Sequence, residues 1–215
     1  RIVLLKEFVL DQYGISIKVD FTTTCCSLVP NENDNLLYFG TSDGFLNIFR
    51  FLYNDNDSNI EIIERKELKG TPMSIDSYKG NIAVSESTGD LYLESKQKNC
   101  EIQITNCGIA MLRLIPIQLD ENADEFLVCA SACDDGYIVL TDFSTGQEIQ
   151  RIKAGHCGGI RSIAVNVTYK DSSNITKSIL IATFSYDQRC VLHELSPNDF
   201  GVVNRTVFRT SIYDG

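Results

Sequence analysis

Tryptophan is absent from this 215-residue chain, and histidine, methionine and proline are scarce at two, two and four. Two histidines leave little material for imidazole-based acid–base catalysis or a histidine-rich metal centre. No apolar run approaches the ~18 residues that a membrane span needs, so the chain reads as soluble and cytoplasmic. Eight cysteines are present, but none forms a C-x-x-C pair: Cys25 and Cys26 adjoin, and Cys129 and Cys133 stand four apart. That spacing argues against a zinc ribbon or a thioredoxin-type motif, and fits small buried thiols in a reducing compartment. No Walker-type loop, G-x-G-x-x-G or H-E-x-x-H occurs. The glycine-rich run Gly155-His156-Cys157-Gly158-Gly159 joins two strand-like segments and lacks the helix N-terminus that would hold a phosphate. No cofactor or metal site is therefore expected in the chain. Arg1 in place of a start methionine makes it read as a piece of a longer protein. Four N-x-S/T sequons, at Asn56, Asn166, Asn174 and Asn204, read as chance in an asparagine-rich chain.

What charge there is falls unevenly. The formal net charge is −10, yet residues 1–150 carry −13 and residues 151–215 carry +3. The larger part would repel a polyanion, whereas the last quarter could attract one.

The informative feature is a period. Short runs of β-branched and aromatic residues alternate with Ser/Asp/Gly turns, and helical periodicity is missing. An apolar strand, a tight turn and a second apolar strand recur around Gly44, Gly89, Gly136 and Gln188, at intervals of 45, 47 and 52 residues. Each pair is preceded by a candidate inner strand (Cys25–Val29, Met73–Ser77, Met111–Pro116, Ile160–Val165). Each is followed by a candidate outer one (Ile60–Glu64, Glu101–Thr105, Glu148–Ile152, Thr206–Thr210). Four strands every 40–50 residues is the period of a propeller blade. The spacing predicts an all-β propeller with blades over 25–70, 71–106, 107–154 and 155–215. Residues 1–24, with Ile2–Leu5 and Ile15–Phe21, read as strands of a preceding blade, so the ring is expected to be incomplete within this sequence.

The junction between the third and fourth units resembles the WD-repeat family. Gly155-His156 stands at that family's Gly-His dipeptide and Thr141-Asp142 at its Trp-Asp dipeptide, while Phe49 and His193 occupy tryptophan positions. The resemblance implies structural roles for His156, for Asp187 as its carboxylate partner and for Ser185 as the neighbouring hydroxyl, in place of a catalytic dyad. The segments His156–Ile163, Ser185-Tyr186-Asp187-Gln188-Arg189 and Asn204-Arg205-Thr206-Val207-Phe208 resemble the C-terminal end of one large WD-repeat family. That family is the non-catalytic subunit of the tRNA 2′-O-methyltransferase acting on the wobble nucleotide. The resemblance covers about the last 60 residues. It implies an FtsJ-type methyltransferase as partner, carrying the S-adenosylmethionine, with tRNA and upstream blades of the same protein as further partners. Lys153, Arg161, Arg189 and Arg205 are the candidate RNA or partner contacts. The competing expectation is a protein-interaction scaffold of trafficking, nuclear-pore or ubiquitin-ligase type without RNA contact. A propeller enzyme would need titratable groups converging from several blades, and two histidines supply too few.

Overall fold

The computed structural model describes residues 7–11, 14–18, 21–30, 35–54, 57–96, 98–170 and 174–209. Among these there is no helix, and so none long and apolar enough to cross a membrane. A two-stranded hairpin, β1 (Glu7–Asp11) and β2 (Gly14–Lys18), precedes four antiparallel four-stranded sheets. The first holds β3 (Thr23–Pro30), β4 (Asn35–Thr41), β5 (Phe45–Asn54) and β6 (Asp57–Glu67). The second holds β7 (Pro72–Tyr78), β8 (Asn81–Glu86), β9 (Asp90–Glu94) and β10 (Asn99–Gln103). The third holds β11 (Ile109–Ile117), β12 (Phe126–Cys133), β13 (Tyr137–Asp142) and β14 (Glu148–Lys153). The fourth holds β15 (Ile160–Tyr169), β16 (Thr176–Ser185), β17 (Arg189–Leu195) and β18 (Val202–Arg209). Each sheet is a meander in sequence order, which short turns between antiparallel strands permit. The proposed strand at Ile2–Leu5 lies outside the described residues, as do Val19 and Asp20 of the segment proposed over Ile15–Phe21, whose residues Ile15 to Lys18 are strand. The outer strand expected from Thr206 begins earlier, at Val202.

The sheets stack face to face, and their two-residue alternation decides what each face meets. In β12, Val128 and Ala130 join a core with Ile160, Ile163, Ile179 and Ile181 of the fourth sheet. The intervening Cys129 and Cys133 join Ala83, Leu91 and Leu93 of the second. Burial on both faces explains why this strand reads Phe-Leu-Val-Cys-Ala-Ser-Ala-Cys with no charge. A third core links Tyr38, Leu46 and Ile48 to Ile75, Ile82 and Val84. Each such Leu or Ile contributes about 1.5–3 kcal/mol by burial.

Position by position, the face that Val128, Ala130, Ile138 and Leu140 turn to the next sheet is repeated in the fourth sheet by Leu180, Ala182, Cys190 and Leu192. Among the described residues nothing covers that last face: these four are half-buried, and Phe184 beside them is 44% exposed. The four sheets thus make an arc whose final face is apolar and open.

Inner strands sit side by side, and side chains of one satisfy backbone of the next. Asp76 accepts the Leu114 amide at 2.8 Å and Ser74 the Leu112 amide at 3.4 Å.

Candidate functional site

The loop face of the arc is built by one backbone pattern repeated. The amide of the fourth turn residue donates to the carbonyl of the first in all four sheets: Gly44 to Thr41, Gly89 to Glu86, Gly136 to Cys133 and Gln188 to Ser185. That closing residue lies in the left-handed region each time, with φ of 86°, 91°, 83° and 61°, which is the reason for glycine at three of the four. The chain leaving each of the first three sheets returns a bond to the same turn: Leu68 to Gly44, Ile104 to Gly89 and Ala154 to Gly136.

Side chains finish each joint differently. In the first sheet Asp43 takes Arg65 of β6 at 2.7 Å, with the guanidinium 3.8 Å over the Phe45 ring. In the third, Asp135 faces Arg151 of β14 at 3.8 Å and accepts the Thr105 hydroxyl at 3.2 Å. Register makes Arg65 and Arg151 equivalent, opposite Asn47 and Val139. The fourth sheet has Val207 there, opposite Val191. Its turn carboxylate, Asp187, is met by His156 from the incoming loop.

His156 Nδ1 donates to Asp187 Oδ1 at 3.1 Å, and Nε2 meets Thr183 Oγ1 at 3.0 Å. Asp187 also accepts the Cys157 amide at 2.9 Å and the Arg189 amide at 3.1 Å. Burial works against the Asp187 charge, yet the Cys157 amide, His156 and the Arg189 amide together hold its carboxyl below the usual range. The His156 side chain is fully buried. The hydroxyl on its ring belongs to Thr183 and not to Ser185, a correction to the sequence reading. Both lie on one face of β16, two residues apart. Ser185, at the strand end, instead accepts the Asp187 amide at 3.4 Å.

The candidate contact residues fare unevenly. Arg161 is ion-paired to Asp134 at 2.8 Å and sits 5.2 Å over the ring of Tyr186, itself 83% exposed. Arg189 reaches Asp187 only at 4.0 Å. Arg205 donates to the Lys153 carbonyl at 2.6 Å, bringing these two together. Arg209, one of the cations of the last quarter outside the four candidate contacts, lies directly opposite Arg189.

Two buried titratable groups are structural. His193, at a tryptophan position, is wholly buried with no hydrogen-bonded side chain on its ring. Burial, then the charges of Arg205 and His156, pull its pKa down to about 4. An unfolded chain takes the proton near pH 6.5, and the folded sheet refuses it until about pH 4. This contribution to stability is therefore complete above pH 6.5 and declines as pH falls towards 4, by roughly 2–3 kcal/mol. His193→Phe is expected to flatten that part of the profile, read as urea midpoints at pH 7, 6, 5 and 4. An unchanged slope would assign it to other groups.

Glu86 has the opposite sense. It is fully buried, with Oε2 accepting the Gly70 amide at 2.6 Å. Burial raises its pKa well above the usual range, the Gly70 amide opposing while Glu101 and Asp90 add to the rise. The folded state keeps this proton longer than the unfolded one. Its contribution is fully present below the unfolded carboxyl value and is lost as pH rises beyond it. Glu86→Gln keeps an acceptor for Gly70 without a charge, and should stabilise the protein by about 1 kcal/mol at pH 8. Melting temperatures at pH 5 and pH 8 check this, and the gain should nearly vanish at pH 5.

No protein-family model matches the chain, and no curated protein matches it in sequence. Solved structures do. BBS1N, in a complex with ARL6DN, matches with a TM-score of 0.63 at 15% identity, covering 90% of this chain and 58% of that one. The WD40 β-propeller domain of Doa1 matches at 0.55 and 15%, covering 92% and 60%. A chain of the Mitotic Checkpoint Complex matches at 0.61 and 10%, covering 90% and 54%. The chain thus spans little more than half the length of these structures. Four meander sheets on a common loop face, aligned to a WD40 propeller over nine-tenths of their length, make this chain an incomplete arc of a WD-type β-propeller.

Proposed function

We propose that the chain is a non-catalytic binding platform, holding an FtsJ-type methyltransferase and positioning tRNA for 2′-O-ribose methylation of the wobble nucleotide. One observation carries the non-catalytic part. The only histidine–carboxylate pair among the described residues is sealed, with His156 fully buried and engaged at both ring nitrogens. A general base must reach a substrate proton, and His156 faces Asp187 and Thr183 instead. The partner supplies S-adenosylmethionine and the chemistry. A platform contributes rate and site choice by orientation alone. The tRNA reading rests on the resemblance of the last 60 or so residues and on the positive charge of the last quarter.

The experiment is purification of the full-length protein from its native cells, followed by identification of co-purifying chains and assay of wobble 2′-O-methylation on added tRNA. Recovery of an FtsJ-type enzyme with wobble activity supports the proposal. Recovery of trafficking or pore components without that activity sinks it and leaves a protein-interaction scaffold. The scaffold reading has its own support in exposed apolar side chains on the fourth sheet and in similar solved structures that are protein complexes.

A further inference from the structure

We infer that the free edge of β18 receives an extended acidic segment of a partner protein, which adds to the fourth sheet as a fifth strand. Among the described residues β18 pairs with β17 on one side only, so its other edge presents to them a row of unpaired amides and carbonyls. Every side chain from Val202 to Arg209 is exposed, whereas β14 and β10 are partly covered along their length. Four of those exposed side chains are apolar: Val202, Val203, Val207 and Phe208. An exposed apolar edge is a liability in a monomer and an asset for strand addition.

Charge selects the partner. Arg205 and Arg209 project on one face of β18, with Arg189 directly opposite Arg209 and Lys153 held to Arg205 through its carbonyl. Like charges directly opposite destabilise a sheet. Among the described residues the one carboxylate in reach of Arg189, Asp187, is already committed to His156 and two amides. A nucleic-acid backbone would answer the cations but leave the valines, Phe208 and the strand edge in water. A second copy would set arginine-bearing edges together and join two bodies of net charge −10. An extended polypeptide answers all three features when acidic residues fall over Arg205 and Arg209 and apolar ones over Val202 and Phe208. The expected recognition element is an alternation of acidic and apolar residues about as long as β18. This inference does not depend on the methylation reading, since any protein partner could carry such a segment.

The test titrates the full chain against fluorescein-labelled probes followed by anisotropy. The probes are a peptide of β18 length alternating glutamate and valine, its lysine–valine counterpart, the first peptide N-methylated on every second amide, and an oligouridylate. The Glu–Val peptide should bind saturably and the Lys–Val peptide should not. N-methylation should weaken binding at least about tenfold by removing main-chain bonds. Arg205→Glu with Arg209→Glu should weaken it at least about tenfold, while Lys96→Glu, on an exposed turn of the second sheet, stays within about twofold. Circular dichroism verifies the fold, and Arg209→Gln replaces the double variant if that unfolds, with a smaller loss in the same direction. Equal affinity of the methylated peptide, tighter binding of the oligouridylate, no response to the arginine variants, or no saturable peptide binding would each overturn the inference. Failure here with recovery of a methyltransferase from cells would leave the platform reading intact.

Discussion

Replacing Gly89 with alanine is expected to destabilise the protein by on the order of 4 kcal/mol, more than any other alanine substitution at a turn glycine. Two costs act together. Gly89 has φ of 91°, where a Cβ is disfavoured by about 1–2 kcal/mol. A Cβ would also fall 2.5 Å from the Cys107 carbonyl oxygen and closer still to that of Thr105. Both obstacles are backbone, so no side-chain rotation relieves them. The loop cannot back away cheaply, because the Gly89 carbonyl accepts the amides of Ile104 and Thr105 at 3.1 and 3.4 Å. Gly80 is the control, with φ of 79° and open space around a built Cβ. Gly80→Ala should lose only the conformational part, about 1 kcal/mol. Urea unfolding of the two variants measures the difference, and equal losses would mean that the loop over the second turn is not clasped.

The period was legible because a tight turn that closes on a positive φ leaves a mark in the residue type. Gly44, Gly89 and Gly136 announce themselves. Gln188, at φ 61°, is found only by counting from them. Facing patterns were legible where both sides of a strand are buried, as in β12. The chemistry of the joints was less so. Thr183 and Ser185 are two apart on one face of β16, and spacing cannot decide which meets the His156 ring. Nothing in the order of residues pairs Arg65 with Asp43 or Arg161 with Asp134, since those partners are 22 and 27 positions apart and meet through register and loop path. β18 misleads in the opposite sense. Val-Val-Asn-Arg-Thr-Val-Phe-Arg reads as half-buried, and it is exposed because among the described residues nothing lies beyond it. An alternating pattern records what a strand is built to meet, and only the neighbours decide whether it is met.

Removing the Asp187 carboxylate tests the joint between the third and fourth sheets. Asp187→Ala is expected to cost about 3–5 kcal/mol, the range for breaking a buried hydrogen-bonded pair from one side. It would leave a fully buried imidazole and the Cys157 and Arg189 amides without their acceptor. Asp43→Ala should cost about 1 kcal/mol or less, because Arg65 is partly exposed and can turn to water. The contrast follows from Val207, which stands where the first and third sheets place Arg65 and Arg151. A sharper experiment transplants their solution. His156→Ala should cost about 2–3 kcal/mol by emptying the joint and leaving Asp187 short of a donor. Adding Val207→Arg should return at least about 1 kcal/mol, since a guanidinium two residues from Arg205 would reach the turn as Arg65 reaches Asp43. Urea midpoints of the two single variants and the double variant form the cycle. Strictly additive losses would mean that outer-strand arginine and loop histidine are not interchangeable ways of holding one turn carboxylate.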